Sequence, residues 1–246
     1  MNNLVIDIGN TYSKLAVFEQ KELLYFEQLE KIEEANLLKL ITEYKIVSST
    51  VSSVRNQIDD LEKLLKQHTT YVRFSTQIVG GVKSYYESPQ TLGLDRWAKV
   101  IAAHCLYAGQ NTLMIDAGTC ITYDVLTANN EYFGGSISLG LNMRFKALNH
   151  YTGRLPLVIW DNKTQEVIEE GTNTQNAIKR GVLQGAVNEI EGFIVLEQQR
   201  NPNLKVVLTG GDSLFLNKQL KNSIFAAQIT HEPYLVLKGL NEVITL

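Results

Sequence analysis

The segment DIGNTYSK, residues 7–14, collects residue types that suit a phosphate group. Gly9 lets a phosphate come close to the main chain, and successive N–H groups in such a turn form a nest for an anion. Asn10, Thr11 and Ser13 add short polar side chains, and Lys14 adds a positive charge. Asp7 ends the apolar run LVI and suits a hydrated divalent cation, because Mg²⁺ takes one or two carboxylates and keeps waters and nucleotide oxygens as its other ligands. Taken alone, the segment also fits a plain hairpin with an Asx-type turn. DAGTCITYD at 116–124 repeats the Asp-x-Gly pattern after a second apolar run, and two such loops facing each other suit a nucleotide triphosphate. TGGDS at 209–213 has glycines that allow close packing on a base or ribose, but on its own it reads better as a strand-to-helix turn with Asp212 or Ser213 as N-cap. Neither GxxxxGK[ST] nor GxGxxG occurs, so these are not the P-loop or the dinucleotide fingerprint.

YYESPQTLGLDRW, residues 85–97, offers a different chemistry. Gly93 frees the backbone where a helix is predicted to begin, and Asp95 and Arg96 fall in its first turn. Arg is a fixed bidentate donor for carboxylate or phosphate. A carboxylate such as Asp95, set beside a substrate hydroxyl, accepts its proton as that oxygen attacks a γ-phosphorus. Without the surrounding loops, Asp95 would read as an acid favoured by the helix dipole and Arg96 as a surface residue. Cys120 follows the second Asp-x-Gly, but His68, His104, His150 and His231 form no spacing motif that would activate it, so it is expected to pack.

Strands must end at each aspartate to position these groups. LVIDIG, SKLAVF and ELLYF are short apolar or alternating runs separated by turn residues, which predicts a three-stranded meander. Leu and Ile at three- and four-residue spacing then predict helices over 33–43 and 55–67 around a strand at 45–51, followed by another strand and the helix after Gly93. After Gly109 the same grammar restarts. It gives strands at 113–119, 120–126 and 131–138, helices near 139–149 and 175–199, a strand at 205–212, and a final helix, short strand and helix. LVIDIGNT and LMIDAGT each open a meander followed by helices, which favours a duplicated α/β domain over chance recurrence. Domains of 1–110 and 111–246 are therefore expected.

The 246 residues, 44% hydrophobic and 20% charged, make an ordinary globular chain long enough for a sizeable core. Its balance of 23 basic and 26 acidic residues lacks the footprint of a protein that lives on phosphate backbones, so nucleic acid is not an expected partner. Two cysteines without a CxxC spacing point to a reducing compartment, and a cytoplasmic location is expected. Asp7 interrupts the first apolar stretch before a signal peptide could form, and no run approaches the roughly 18 apolar residues that span a bilayer, so no membrane association is expected.

In chain order, LVIDIGNT, GLDRW at 93–97, DAGTCITYD, GGSISLGL at 134–141, TGRLP at 152–156 and TGGD at 209–212 resemble the type III pantothenate kinases, a family of the actin-like ATPase and sugar-kinase superfamily. GLDR between the two Asp-x-Gly loops is the most discriminating piece. The resemblance implies an α/β fold of two duplicated ribonuclease-H-like domains, each a five-stranded mixed sheet with helices, and a nucleotide in the cleft between them. It implies ATP-dependent phosphorylation of pantothenate to 4′-phosphopantothenate, the first step toward coenzyme A. Position by position, Asp7, Ile8, Gly9, Asn10, Thr11, Tyr12, Ser13 and Lys14 match the ATP-phosphate loop, with Asp7 also meeting Mg²⁺ through the nucleotide. Gly118 and Thr119 match ATP contacts, and Asp116 matches the aspartate that holds a monovalent cation, K⁺ or NH₄⁺. Asp95 matches the proton acceptor, and Tyr86, Gly93, Leu94, Asp95, Arg96 and Thr174 match the pantothenate site. In the family that threonine reaches the pocket from a partner subunit, which implies a homodimer. Leu139 stands where a proline is common, and Cys120 where a small residue is usual. The rival of another class is a non-catalytic relative that supports transcription. Retention of Asp7, Asp95, Arg96 and Asp116 argues against it, because four charges gathered in a cleft without ligands cost stability.

Overall fold

The computed structural model describes residues 1–9, 11–54, 58–162 and 167–244. The first half runs β1 (Asn2–Ile8), β2 (Ser13–Glu19), β3 (Glu22–Leu29), α1 (Glu34–Glu43), β4 (Ile46–Ser53), α2 (Asp59–His68), β5 (Thr70–Arg73), β6 (Lys83–Ser84) and α3 (Leu94–Leu106). The second half runs β7 (Thr112–Ala117), β8 (Cys120–Leu126), β9 (Glu131–Leu139), α4 (Leu141–His150), α5 (Thr174–Arg200), β10 (Lys205–Thr209), α6 (Ser213–Gln219), β11 (Ile229–His231) and α7 (Leu235–Ile244). Residues 55–57 of the helix expected over 55–67 lie outside the described residues, and the remainder forms α2.

Two compact units divide the chain. One comprises Met1–Ala108, Asn130–Tyr132 and Tyr234–Leu246, and the other Gly109–Asn129 and Phe133–Pro233. The first unit holds a sheet of order β3-β2-β1-β4-β5. β1, β2 and β3 pair antiparallel as a meander, and β4 and β5 add in parallel beyond β1. β1 and β2 are buried on both faces, whereas β3 alternates exposed and half-buried positions, as an edge strand with a solvated side does. Leu4, Ile6, Leu15 and Val17 meet Leu37, Leu40 and Ile41 of α1 and Leu65 of α2 in one apolar core.

In the second unit the sheet order is β9-β8-β7-β10-β11, the same succession of third, second, first, fourth and fifth strand. Leu113, Ile115 and Tyr123 pack there with Phe145 of α4, Ile178, Val182, Leu183, Ile190 and Ile194 of α5, and Phe215 of α6. Five strands per sheet was the expectation, and a sixth is added by β6. Lys83 and Ser84 pair in parallel with Glu131 and Tyr132, the opening residues of β9 that group with the first unit.

Residues 130–132 and those from Tyr234 onward group with the first unit, although they lie within the span 111–246. α7 packs along α3 and against β1 and β4 of the first unit, burying Leu235, Leu237, Leu240 and Val243. Asn241, 3% exposed, accepts from Asn3 Nδ2 at 2.9 Å and donates to the Gln20 carbonyl at 2.7 Å. A buried amide needs such partners, and these lie at the far end of the sequence. Among the described residues, no helix is long and apolar enough to cross a membrane.

Candidate functional site

The first Asp-x-Gly loop follows from β1 ending at Ile8. Gly9 N donates to Tyr12 O at 3.0 Å and closes the turn into β2, while Val54 N donates to Ile8 O at 3.1 Å. The antiparallel register sets Asp7 opposite Lys14, so the carboxylate and the ammonium rise from one face at the strand ends. Ser13 is buried and Thr11 and Tyr12 are exposed, so the loop presents a hydroxyl and an aromatic ring to solvent. Asn10 lies outside the described residues.

The second loop is enclosed. Gly118 N donates to Cys120 O at 2.9 Å, with Thr119 exposed between them. Gly140, at the start of α4, lies so close to the carbonyls of Gly118 and Thr119 that a Cβ there has no room. On the Asp116 side sits Gly210, whose φ of +98° suits glycine and where a Cβ would fall 2.5 Å from Asp116 Oδ1. Asp212 N donates to Ala117 O at 2.9 Å. One carboxylate beside main-chain carbonyls is a set of hard oxygen donors, which fits an alkali cation rather than a soft metal. Among the described residues no group of three or more His, Cys, Asp or Glu side chains is placed to hold a metal.

The TGGD segment is pinned from three directions. Asn162 Nδ2 donates to Gly211 O at 2.8 Å and to Asp212 Oδ1 at 3.0 Å. Ser213 Oγ donates to Gly210 O at 2.6 Å, and with its one proton so placed it accepts from His231 Nε2 at 2.9 Å. Asp212 stands at the N-cap position of α6, but its side chain makes no capping bond. Burial pushes its carboxyl up to about 6, against the opposing effect of the Asn162 amide.

GLDRW opens α3 with Gly93 at the N-cap and Asp95 in the first turn. Asp95 folds back over its own helix start, so that a Cβ at position 93 would lie 2.5 Å from Asp95 Oδ1. Arg96 is 5% exposed, with its guanidinium carbon 5.6 Å from the centre of the Tyr86 ring, within cation–π range. The Tyr86 ring in turn stacks on Tyr132 at 6.1 Å, and Tyr132 leans on Trp97 at 5.9 Å. Trp97 Nε1 donates to Ile78 O at 2.8 Å, which fixes the loop before Tyr86. Tyr86, Gly93, Leu94, Asp95 and Arg96 are thus gathered within the first unit. Thr174 stands in the second unit as the exposed first residue of α5, beside the N-cap Asn173 whose Oδ1 accepts from Asn176 N at 2.9 Å.

Several supporting residues carried no signal of their own in the sequence. Tyr132 is fully buried behind Tyr86. Asn162 and the pair formed by Arg144 and Glu189 act across long separations, which no local pattern encodes. Lys99 alone breaks a local rule, as a cation amid the apolar run of α3.

Known proteins place this architecture. The family model described as "Type III pantothenate kinase" matches residues 3–195. A type III pantothenate kinase of Phocaeicola vulgatus is 39% identical over 244 residues, covering 99% of this chain and 98% of the relative, and that of Christiangramia forsetii is 40% identical over 251 residues, covering 98% and 97%. Among solved structures, a Campylobacter jejuni chain described as a Baf family transcriptional activator has a TM-score of 0.62 at 21% identity, covering 98% of this chain and 97% of that one. A Cytophaga hutchinsonii chain described as a sugar kinase has a TM-score of 0.52 at 13% identity and covers both chains fully. At such identities the structural likenesses establish the fold, a duplicated α/β architecture common to sugar kinases, while the sequence matches from end to end establish the family. The chain is a member of the type III pantothenate kinase family.

Proposed function

We propose that this chain transfers the γ-phosphoryl group of ATP to the primary hydroxyl of pantothenate, giving 4′-phosphopantothenate and ADP, the first step toward coenzyme A. Membership of the family carries the reading, and the roles follow the residues that match its motifs. The hydroxyl oxygen attacks the γ-phosphorus and gives its proton to the Asp95 carboxylate, while the bond to the ADP oxygen breaks. Arg96, Tyr86, Gly93 and Leu94 hold pantothenate beside Asp95. The loop from Asp7 to Lys14, with Gly118 and Thr119, binds the phosphates through main-chain N–H groups other than those of Gly9 and Gly118, which close the turns, and through the Lys14 ammonium. Mg²⁺ on the nucleotide near Asp7 and a K⁺ or NH₄⁺ ion near Asp116 supply charge neutralisation when bound. Thr174 joins the pantothenate site of a second copy, so the working form is a homodimer in the cytoplasm.

Asp95→Asn tests the assignment, since it removes the proton acceptor at constant size. Turnover measured by coupling ADP release to NADH oxidation is expected to fall by about 10²–10⁴-fold, the usual share of a general base. Near-wild-type turnover in a folded variant would take Asp95 out of the mechanism. The same assay with pantothenate, pantetheine, sugars and glycerol tests the substrate. The cation role predicts loss of activity in sodium-only buffer and recovery with potassium or ammonium. A regulator on this fold would bind without turning ATP over, and shared fold alone does not decide between the two.

A further inference from the structure

Behind the second Asp-x-Gly loop stands a polar buttress. Gly140 lies against the carbonyls of Gly118 and Thr119, and Ser138 and Leu139, just before it, are held by Arg144 of α4. Arg144 Nε donates to Leu139 O at 2.8 Å, and a terminal nitrogen donates to Ser138 Oγ at 3.1 Å and Glu189 Oε2 at 2.6 Å. Glu189 comes from α5 and also accepts from Ser138 Oγ at 3.2 Å and, on its other oxygen, from the Tyr123 hydroxyl of β8 at 2.8 Å. Burial, and then the bond to Glu189, push the Tyr123 hydroxyl well above its usual range, so it remains a donor at neutral pH. Its ring stacks on Phe193 of α5 at 3.9 Å. One carboxylate thus ties β8, β9 and α4 to α5, and the planar fork of Arg serves a carbonyl and a carboxylate together, which an ammonium on a flexible stem does not. The Arg144 and Glu189 side chains are 17% and 24% exposed, so water reaches the pair only in part.

We propose that Arg144 and Glu189 are positioning residues for the second phosphate loop: by fixing Ser138 to Gly140 they set the carbonyls of Gly118 and Thr119, and so aim that loop at the nucleotide. This rests on the reading of Gly118 and Thr119 as ATP contacts. Misplacing a phosphate-binding group by an ångström costs up to roughly 100-fold, and loosening a buttress costs part of that.

Arg144→Lys keeps the charge and removes the fork. In the full-length enzyme it is expected to raise the KM for ATP roughly tenfold and leave the KM for pantothenate unchanged, while amide hydrogen exchange at residues 118–120 speeds up. An unchanged KM for ATP beside a lowered melting temperature would overturn the proposal and leave the pair as ordinary scaffolding. Thr119→Val, measured in parallel, separates the two levels. If it raises the KM for ATP while Arg144→Lys does not, the buttress alone falls; if it leaves the KM for ATP unchanged, the ATP-contact reading falls and the proposal with it. Should Arg144→Lys not fold, Ser138→Ala removes one hydroxyl of the same network and is expected to raise the KM for ATP about two- to threefold, with no change overturning the proposal.

Discussion

In the first unit Gly9 N bonds to Tyr12 O across the turn that follows β1. Among the described residues, a Cβ at Gly9 would meet Tyr12 O at 3.1 Å. In the second unit the corresponding turn is shorter, closed from Gly118 to Cys120, and it is wedged between Gly140 and Gly210, with Asp212 N bonded to Ala117 O. The same motif at the end of a buried strand is thus closed locally in the first unit and boxed in by distant glycine segments in the second. What separates them is the packing brought by distant segments.

Gly140→Ala should break the box most severely. A Cβ there meets two carbonyls of the main chain, which cannot swing aside as a side chain would, and about 3 kcal/mol of stability is expected to be lost in urea unfolding. Asp212→Asn should act in the opposite direction. The carboxyl's folded value of about 6 lies above its ordinary 3.8, so between those values the folded state holds the proton more tightly, and stability falls as pH rises through that window. Above pH 6 the full cost remains, and the amide is expected to gain about 2 kcal/mol at pH 7.5, with the gain vanishing below pH 4. Melting temperatures of both proteins across this range check it, and a gain independent of pH would remove Asp212 as the cause. Gly9→Ala should matter least, at under about 1 kcal/mol, because Tyr12 O can give by a few tenths of an ångström. If Gly9→Ala costs as much as Gly140→Ala, the two loops are equally enclosed and the contrast fails.

Local order explains what could be read beforehand. The strands ending at Asp7 and Asp116, the meanders that follow and the long α5 helix are written in side-chain periods, and the helix expected over 175–199 forms as Thr174–Arg200. The repeated motif also anticipated the two sheets of identical strand succession. The partner of the last helix was not legible, because LVLKGLNEV declares an apolar face without saying which sheet it covers. That choice is made by Asn3 and Gln20, more than 200 residues earlier. Tyr132 escaped notice for a similar reason. It reads as one more alternating strand residue, yet its ring forms the floor beneath Tyr86. Arg144 and Glu189 are 45 residues apart, and each alone looks like a solvated helical charge.

The placement of α7 bears on how the chain is made. Synthesis proceeds from the N-terminus, so β1 to α3 emerge first, but the apolar surface that Leu235, Leu237, Leu240 and Val243 cover stays bare until α7 has left the ribosome, well over 100 residues later. The first unit is thus the last to be completed. A chain ending at Pro233 should emerge with its second unit whole and its first adhesive, prone to chaperone capture and aggregation, although every residue assigned to catalysis would be present.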